Sequence, residues 1–289
     1  MESIRHYDLP ADDERTVLRE GIIRALRAVP MHFKSPINIE GISATDLFAI
    51  NTLLGGAIED QTVAALNEMR EIWDPDRRWA DYEFRRYAES FPDVRLESEE
   101  SPVPLIGIEL KGWYLLAKEE APSFRFRASA DAMTVWDLIA VFPWSLSNVI
   151  SGKPLLYAPF VEQAKYAADM RTYYWEHRSK DAQKVTHPHT YPYPAAGSSY
   201  SDVAEDDKGG NFGRIARISG LMDEWLETTK KTPLAGIEVQ WWMRFLKMFN
   251  ERGDAESIRK GLEKLAKETK HDSQWADELM GLVQRLMEM

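Results

Sequence analysis

The sequence predicts an α/β (α+β) protein, in which a central mixed β-sheet is flanked by helices. Three observations predict this class: helical apolar spacing near the start of the chain, a cluster of strand signals in the middle, and helical spacing again toward the end. The chain has 289 residues, 44% of them hydrophobic, which is enough for one large domain with a sizeable core. We expect a single domain over residues 1–289.

The first helix is predicted over residues 12–29. Its apolar side chains, such as Leu18, Ile22 and Leu26, recur at three- and four-residue spacing and so share one face. Pro30 is expected to end the helix, because proline has no N–H to continue the hydrogen-bonding pattern.

A second helix is predicted to begin after Ser43 or Thr45 and to run to Asp74, followed by a stop at Pro75. A long apolar stripe indicates the face that this helix buries. The glycine pair at 55–56 leaves open whether the helix is broken there.

Four segments in the middle of the chain carry strand signals. The longest apolar one is typical of a central strand covered on both faces, and another alternates Phe with Arg as a half-buried strand does. The four are DVRL (93–96), LIGIELKGWYLLA (105–117), PSFRFRAS (122–129) and DLIAVFPW (137–144).

Helical spacing returns after the strands. A helix is predicted from Pro159 to Arg178, and the loop-rich segment 187–214 follows it. Irregular segments of this length are usually functional or mobile. From Gly236 onward the chain is predicted to be mostly helical, with a patch of Trp and Phe at 241–249 that is typical of a core or a dimer interface.

Composition excludes several classes of protein. A formal net charge of −11 argues against a protein that coats nucleic acid by bulk electrostatics, but a local basic cleft on an acidic body stays compatible with a DNA enzyme. The absence of cysteine rules out disulfides, thiolate metal sites and cysteine nucleophiles. The N-terminal residues have no apolar signal region and no segment is long enough to span a membrane, so we expect a cytoplasmic protein without a membrane partner.

Two carboxylates and a lysine interrupt the apolar strands in a pattern that predicts a site. Alternate side chains of a strand share a face, so Glu109 and Lys111 are neighbours about 7 Å apart along the strand. Asp93 lies in the preceding strand segment, and two adjacent strands would bring it to the same point. Carboxylates suit Mg²⁺, and a nearby lysine can position a water or offset phosphate charge, so the set fits hydrolysis of a phosphodiester. A solvated strand face with Glu and Lys in cross-strand pairs is the alternative.

The stretch FPDVRL followed by GIELKGW resembles the PD-(D/E)xK nuclease superfamily, which includes most type II restriction endonucleases. Pro92 and Asp93 are separated by fifteen residues from Glu109-Leu110-Lys111. The resemblance implies a restriction-endonuclease-like core with helical N- and C-terminal additions, Mg²⁺-dependent cleavage of double-stranded DNA, and commonly a homodimer. It also implies that Asp93 and Glu109 bind the metal and that Lys111 is the catalytic lysine.

Many members of the superfamily carry a further glutamate on the helix before the sheet. Glu59 is the best candidate for this catalytic and metal-binding position, against the alternative of an exposed helix glutamate. Some relatives have a Gln and a Tyr on the helix after the sheet. Gln163 and Tyr166 match that pattern imperfectly, because Tyr166 comes three positions after Gln163 instead of four.

Five residues are candidate DNA contacts. Arg125 and Arg127 lie on one face of the predicted FRFR strand, and KGGNFGR adds Lys208, Asn211 and Arg214 on a glycine-rich turn. Ion pairs with the acidic excess and an ordinary turn are the alternatives. His187 and His189 are spaced as metal ligands can be, but surrounding prolines favour a loop role.

Together these features predict a Mg²⁺-dependent, sequence-specific double-stranded DNA endonuclease of the type II restriction class. The catalytic core is expected at about 44–178, and the part at about 179–289 is expected to serve recognition or dimerisation. Two alternatives stay open: a repair or recombination nuclease of the same superfamily, and a non-catalytic helical interaction protein.

Overall fold

The computed structural model describes residues 5–40, 50–87, 90–117, 121–177, 213–247 and 255–268. Within these residues the chain forms a mixed sheet flanked by helices, so the predicted α+β class is confirmed. The helices, in chain order, are α1 Glu14–His32, α2 Ile50–Glu68, α3 Arg70–Trp73, α4 Ala164–His177, α5 Asp223–Lys230, α6 Val239–Lys247 and α7 Ala255–Glu268.

The main sheet has six strands in the described part of the chain. Their order is β1-β2-β3-β4-β5, and β6 also pairs with β4. The pair β3–β4 is parallel and the other pairs are antiparallel. The strands are β1 Glu83–Arg86, β2 Val94–Ser98, β3 Ser101–Tyr114, β4 Leu138–Leu146, β5 Pro154–Leu156 and β6 Phe160–Gln163; a separate hairpin joins β7 Pro233–Leu234 to β8 Ile237–Glu238.

The central position of β4 follows from its apolar sequence. All nine of its residues are buried, which confirms the predicted strand covered on both faces. Strand β3 is its parallel neighbour, and both belong to one hydrophobic cluster that extends from α1 to α6. The charged positions of β3 therefore lie inside a sheet whose centre is apolar.

Helix α1 begins at Glu14, two residues after the predicted start, and the side chain of its N-cap residue Asp13 accepts a hydrogen bond from the Arg15 backbone N–H. It buries Leu18 and Ile22 on its inner face. The prediction that Pro30 ends it is wrong, because the helix continues to His32 and the Phe33 N–H donates to the Val29 carbonyl at 2.8 Å. A proline in the last turn removes one donor and leaves the following bond intact.

The second predicted helix is divided, but not at its glycines. Helix α2 is continuous through 55–56, so a break at the glycine pair is wrong, and the interruption falls at Met69, between α2 and α3. Helix α3 ends at Trp73, two residues before Pro75, as the proline predicted. The predicted start of this helix lies outside the described residues.

Segment 122–129 is not a strand, which corrects the expectation drawn from its Phe-Arg alternation. Its backbone at Phe126 is bound by other parts of the chain: the N–H donates to the Gly213 carbonyl at 2.8 Å, and the carbonyl accepts from the Arg171 guanidinium at 2.8 Å. Because these partners satisfy the backbone of this buried residue, the segment packs without joining the sheet.

The predicted helix from Pro159 also begins too early. Residues 160–163 form β6 against β4, and α4 begins only at Ala164, whose N–H donates to the Asp137 carbonyl at 2.9 Å. Sequence spacing did not separate the four-residue strand from the helix that directly follows it.

Side-chain amides bind the backbone near two strands of the sheet. At β1, the Asn67 side chain donates to the Phe84 carbonyl and accepts from the Phe84 N–H. At β6, the Gln163 side chain does the same for Tyr7 of the N-terminal segment. These amides satisfy backbone groups that have no hydrogen-bond partner in a neighbouring strand.

No helix in the described ranges is long and apolar enough to cross a membrane.

Candidate active site

Strand register brings the three predicted site residues together. Val94 of β2 pairs with Ile108 of the antiparallel strand β3. This register places Asp93, one residue before Val94, opposite Glu109, one residue after Ile108. The Leu110 N–H donates to Asp93 Oδ2 at 3.0 Å and fixes that carboxylate against β3. Period-2 alternation places Glu109 and Lys111 on the same face of β3.

The Lys111 ammonium joins both carboxylates. Its Nζ lies 2.8 Å from Asp93 Oδ2 and 2.8 Å from Glu109 Oε1. An ammonium has three donors, so, among the residues that the structure describes, one N–H of Lys111 stays available for a water or a phosphate oxygen. The three side chains form what we call the Asp93–Glu109–Lys111 cluster.

Burial sets the protonation of the cluster. The Glu109 residue is 2% exposed, and burial raises the pKa of its carboxyl to about 7, against the lowering effect of Lys111. Burial alone would lower the pKa of Lys111, but attraction and hydrogen bonds from Glu109 and Asp93 raise it above its ordinary value. Lys111 is therefore a cation at neutral pH that is paired with both carboxylates.

A glycine permits the approach of the Asp93 turn to β3. A Cβ at Gly107 would lie 2.4 Å from Pro92 Cγ, so a larger residue would push the turn away. On its other side, the Gly107 N–H donates to the buried Asp137 at 2.7 Å, and the Thr134 N–H donates to the same carboxylate at 2.7 Å. Burial raises the pKa of Asp137, but these bonds give it a structural role.

Glu59 lies on α2 close to the cluster. Its Oε2 accepts from the Arg86 guanidinium at 2.9 Å. Burial raises the pKa of Glu59, the Arg86 hydrogen bond opposes this, and the charges of Asp93 and Lys111 also act on it. Across the described residues, however, no three His, Cys, Asp or Glu side chains are grouped as metal ligands. Glu59 is thus electrically coupled to the cluster without completing a three-acid metal site.

The donor set of the cluster fits one hard cation. Glu109 Oε2 is buried and has no hydrogen-bond partner among the residues that the structure describes. A buried carboxylate oxygen without a partner is costly, and a divalent cation would satisfy it. Two carboxylates beside solvent-supplied oxygens suit Mg²⁺, which retains several of its waters in proteins. Asp93 and Glu109 would hold the ion, whereas Lys111 is their counter-charge in this structure.

Gln163 and Tyr166 do not join the cluster. Gln163 lies in β6 rather than on α4, and its amide binds the Tyr7 backbone and the Val135 carbonyl. Tyr166 stacks on His6 with ring centroids 3.8 Å apart. Both residues therefore hold the N-terminal segment against α4 and β6.

Three of the candidate DNA contacts are close in the structure. The Gly213 carbonyl accepts from the Phe126 N–H, so the residue before Arg214 contacts the segment that carries Arg125 and Arg127. Phe126 also packs near Phe91, with ring centroids 6.3 Å apart. Phe91 lies two positions before Asp93 in the sequence. The other two, Lys208 and Asn211, and the pair His187 and His189 lie outside the described residues.

One described cavity, of about 440 Å³, lies away from the cluster. Arg217, Asp223 and Lys230 line it, and none of the cluster residues does. Its walls mix both charge signs, whereas buried charged groups converge in the cluster, which is the stronger candidate for a functional site.

The chain matches no protein-family model and no curated protein.

Sequence reasoning missed one residue of the site, Arg86, because β1 lies in a polar stretch that was not predicted to be a strand. The alternation of apolar Tyr82 and Phe84 with charged residues was the available signal.

Proposed function

We propose that the protein is a Mg²⁺-dependent endonuclease that hydrolyses phosphodiester bonds of double-stranded DNA at a specific sequence. The observation that carries the proposal is the Lys111 ammonium, 2.8 Å from carboxylates of two adjacent segments, beside a buried Glu109 oxygen without a partner. The mixed sheet flanked by helices supports the further proposal of a restriction-endonuclease-like core.

The proposed reaction is attack of water on phosphorus. A new P–O bond forms to the water oxygen, which releases a proton to solvent; the P–O bond to the leaving sugar breaks, and the leaving oxygen takes a proton from solvent. Lys111 keeps its proton, so its remaining N–H would orient the water or offset the charge that develops on the phosphate. Mg²⁺ bound by Asp93 and Glu109 would polarise the phosphate and lower the pKa of a bound water.

The DNA partner is proposed from charge placed near the cluster. Arg125 and Arg127 flank Phe126 in sequence, Arg214 directly follows Gly213, and guanidinium groups are suited to phosphate oxygens. A homodimer would present one active site to each strand of the duplex. Part of the patch of Trp and Phe at 241–249 packs within its own chain, since Trp242 Nε1 donates to the Leu234 carbonyl at 2.8 Å.

The test is direct digestion. Purified protein is incubated with plasmid and phage DNA in Mg²⁺ or in EDTA, and the ends of the products are sequenced. Discrete fragments that share one end sequence and require Mg²⁺ are expected. Degradation from the ends would support a repair exonuclease instead, and no cleavage of any DNA would support a non-catalytic interaction protein.

A matched pair of glutamates controls the test. Glu109→Ala is expected to abolish cleavage, whereas Glu99→Ala removes a carboxylate whose side chain is 87% exposed in the adjacent turn and is expected to leave cleavage unchanged. Equal activity in the two variants would contradict the proposed site.

A further inference from the structure

The ion pair between Glu59 and Arg86 joins helix α2 to strand β1 next to the cluster. Arg86 Nη2 lies 2.9 Å and Nε 3.2 Å from the same oxygen, Glu59 Oε2. A third guanidinium nitrogen, Nη1, lies 3.4 Å from Asp60 Oδ1. Glu59 Oε1 accepts no hydrogen bond within the described residues, so the pair occupies one oxygen of Glu59 and leaves the other available.

Backbone contacts fix Arg86 relative to Asp93. Arg86 is the strand partner of Val94, and the N–H of the next residue, Tyr87, donates to the Asp93 carbonyl at 2.7 Å. On the helix side, a Cβ at Gly56 would lie 3.4 Å from Arg86 Nη2, so α2 presents a glycine where the guanidinium passes. The guanidinium thus lies against α2, while the backbone of Arg86 pairs with the segment that follows Asp93.

The ion pair belongs to the electrostatics of the site. Burial raises the pKa of Glu59, and the charges of Asp93 and Lys111 act on the same carboxyl. Glu59 and Arg86 are 21% and 27% exposed at their side chains, so their interaction is weakened by solvent less than a surface pair would be. Arg86 holds the Glu59 carboxylate through one oxygen, Oε2, and does not bind the other.

On the basis of the proposed nuclease function, we infer that Arg86 is a positioning residue that aligns Glu59 with the Asp93–Glu109–Lys111 cluster. Arg86 acts through Glu59 and does not touch the reacting phosphate. The free oxygen of Glu59 is then oriented to accept a hydrogen bond from a water in the site. Arginine suits this role because its planar fork addresses Glu59 and Asp60 at once, which an ammonium cannot do with the same geometry.

A double-mutant cycle tests whether Arg86 acts through Glu59. Single-turnover cleavage of a duplex that carries the mapped cut site is measured for Arg86→Gln, Glu59→Gln and the double variant. Each single change is expected to slow cleavage about 10–100-fold, as loss of a residue that orients an active-site ligand does. The double variant is expected to be no slower than Glu59→Gln. Multiplicative effects would show that Arg86 acts independently of Glu59 and would overturn the inference.

Two further measurements separate positioning from folding and from DNA binding. Arg86→Gln is expected to bind the duplex in Ca²⁺ with unchanged affinity, and Arg86→Lys is expected to recover part of the lost rate. Arg85→Gln is the matched control, because Arg85 is the adjacent residue of β1 and pairs with Glu83 at 2.7 Å instead. A loss of rate in Arg85→Gln equal to that in Arg86→Gln would mean that β1 is merely destabilised, and would overturn the inference.

The outcomes also separate this inference from the proposed function. If the unmodified protein cuts no DNA in Mg²⁺, the nuclease proposal fails. If it cuts DNA and Arg86→Gln cuts equally fast, the nuclease proposal stands and the role of Arg86 is refuted.

Discussion

Strands β3 and β4 are parallel neighbours with opposite chemistry. Glu109 pairs in register with Ile139, and Lys111 pairs with Val141. All nine residues of β4 are buried and apolar or uncharged, whereas β3 places a carboxylate and an ammonium at the same level of the sheet. Because desolvation of charged groups is costly, β4 shows what stability alone selects at this level, and β3 shows a departure from it.

The cost of burying the charged side chains of β3 is partly offset within the cluster. Lys111 neutralises charge from Asp93 and Glu109, and Leu110 supplies a backbone hydrogen bond to Asp93. The compensation is incomplete, because Glu109 Oε2 has no partner among the described residues. A buried polar group that is left unsatisfied marks a functional site more often than a stabilising one.

The largest effect is expected when the compensating charge of β3 is removed. Lys111→Ala leaves two carboxylates without their cation, so the free energy of unfolding should fall by about 3–5 kcal/mol in metal-free buffer. Under the proposed function, cleavage should fall at least about 10²-fold. Urea unfolding and single-turnover cleavage measure the two effects.

Lys153→Ala is the control for this change, because Lys153 is an exposed lysine outside the cluster. If Lys111→Ala were as stable and as active as Lys153→Ala, the contrast between β3 and β4 would have no energetic basis.

The pH dependence of stability tests the burial of the carboxyl in β3. The pKa of Glu109 is about 7 in the folded protein, against a value near 4.5 for the unfolded chain. The stability that the neutral Glu109 carboxyl contributes is therefore complete below pH 4.5 and is lost as the pH rises through about 7. Glu109→Gln cannot ionise and should therefore exceed the unmodified protein in stability by a few kcal/mol above pH 7. Unfolding in urea with EDTA from pH 5 to 8 measures this, and curves that stay parallel over that range would refute the raised pKa.

A double substitution makes β3 resemble β4. Glu109→Ile combined with Lys111→Val, made in an Asp93→Asn background so that no carboxylate loses its cation, should be as stable as that background or more stable by about 1–4 kcal/mol, because apolar groups replace a buried ion pair. Cleavage should be lost completely. A destabilised but folded double variant would show that the ion pair serves the fold rather than a reaction.

The smallest effect is expected on the apolar side of the pair. Ile139→Val removes one methyl group opposite Glu109 and should cost about 0.5–1.5 kcal/mol, with an unchanged rate of cleavage per folded molecule. Thermal unfolding and cleavage measured on one preparation check this. A large loss of rate would mean that packing in β4 sets the position of Glu109.

Much of the fold could be predicted from local patterns, and the misses have a common cause. The buried run of β4 and the helical spacing of α1 and α2 were visible because their signals are contained in each segment. Segment 122–129 alternates like a strand, but its Phe126 backbone is bound by Gly213 and Arg171, which are distant in sequence. Strand β6 is too short, and too close to α4, to have its own period.

The sequence by itself determined the apolar centre of the sheet and the shared face of Glu109 and Lys111, because residue type and period-2 alternation are local properties. The meeting of Asp93 with them was predicted, but only the tertiary structure fixed its geometry, since that depends on the register of β2 against β3 and on the space left by Gly107. It also decided that Arg86 holds Glu59, a contact between residues 27 positions apart. Such contacts depend on packing of separate elements, which no local pattern encodes.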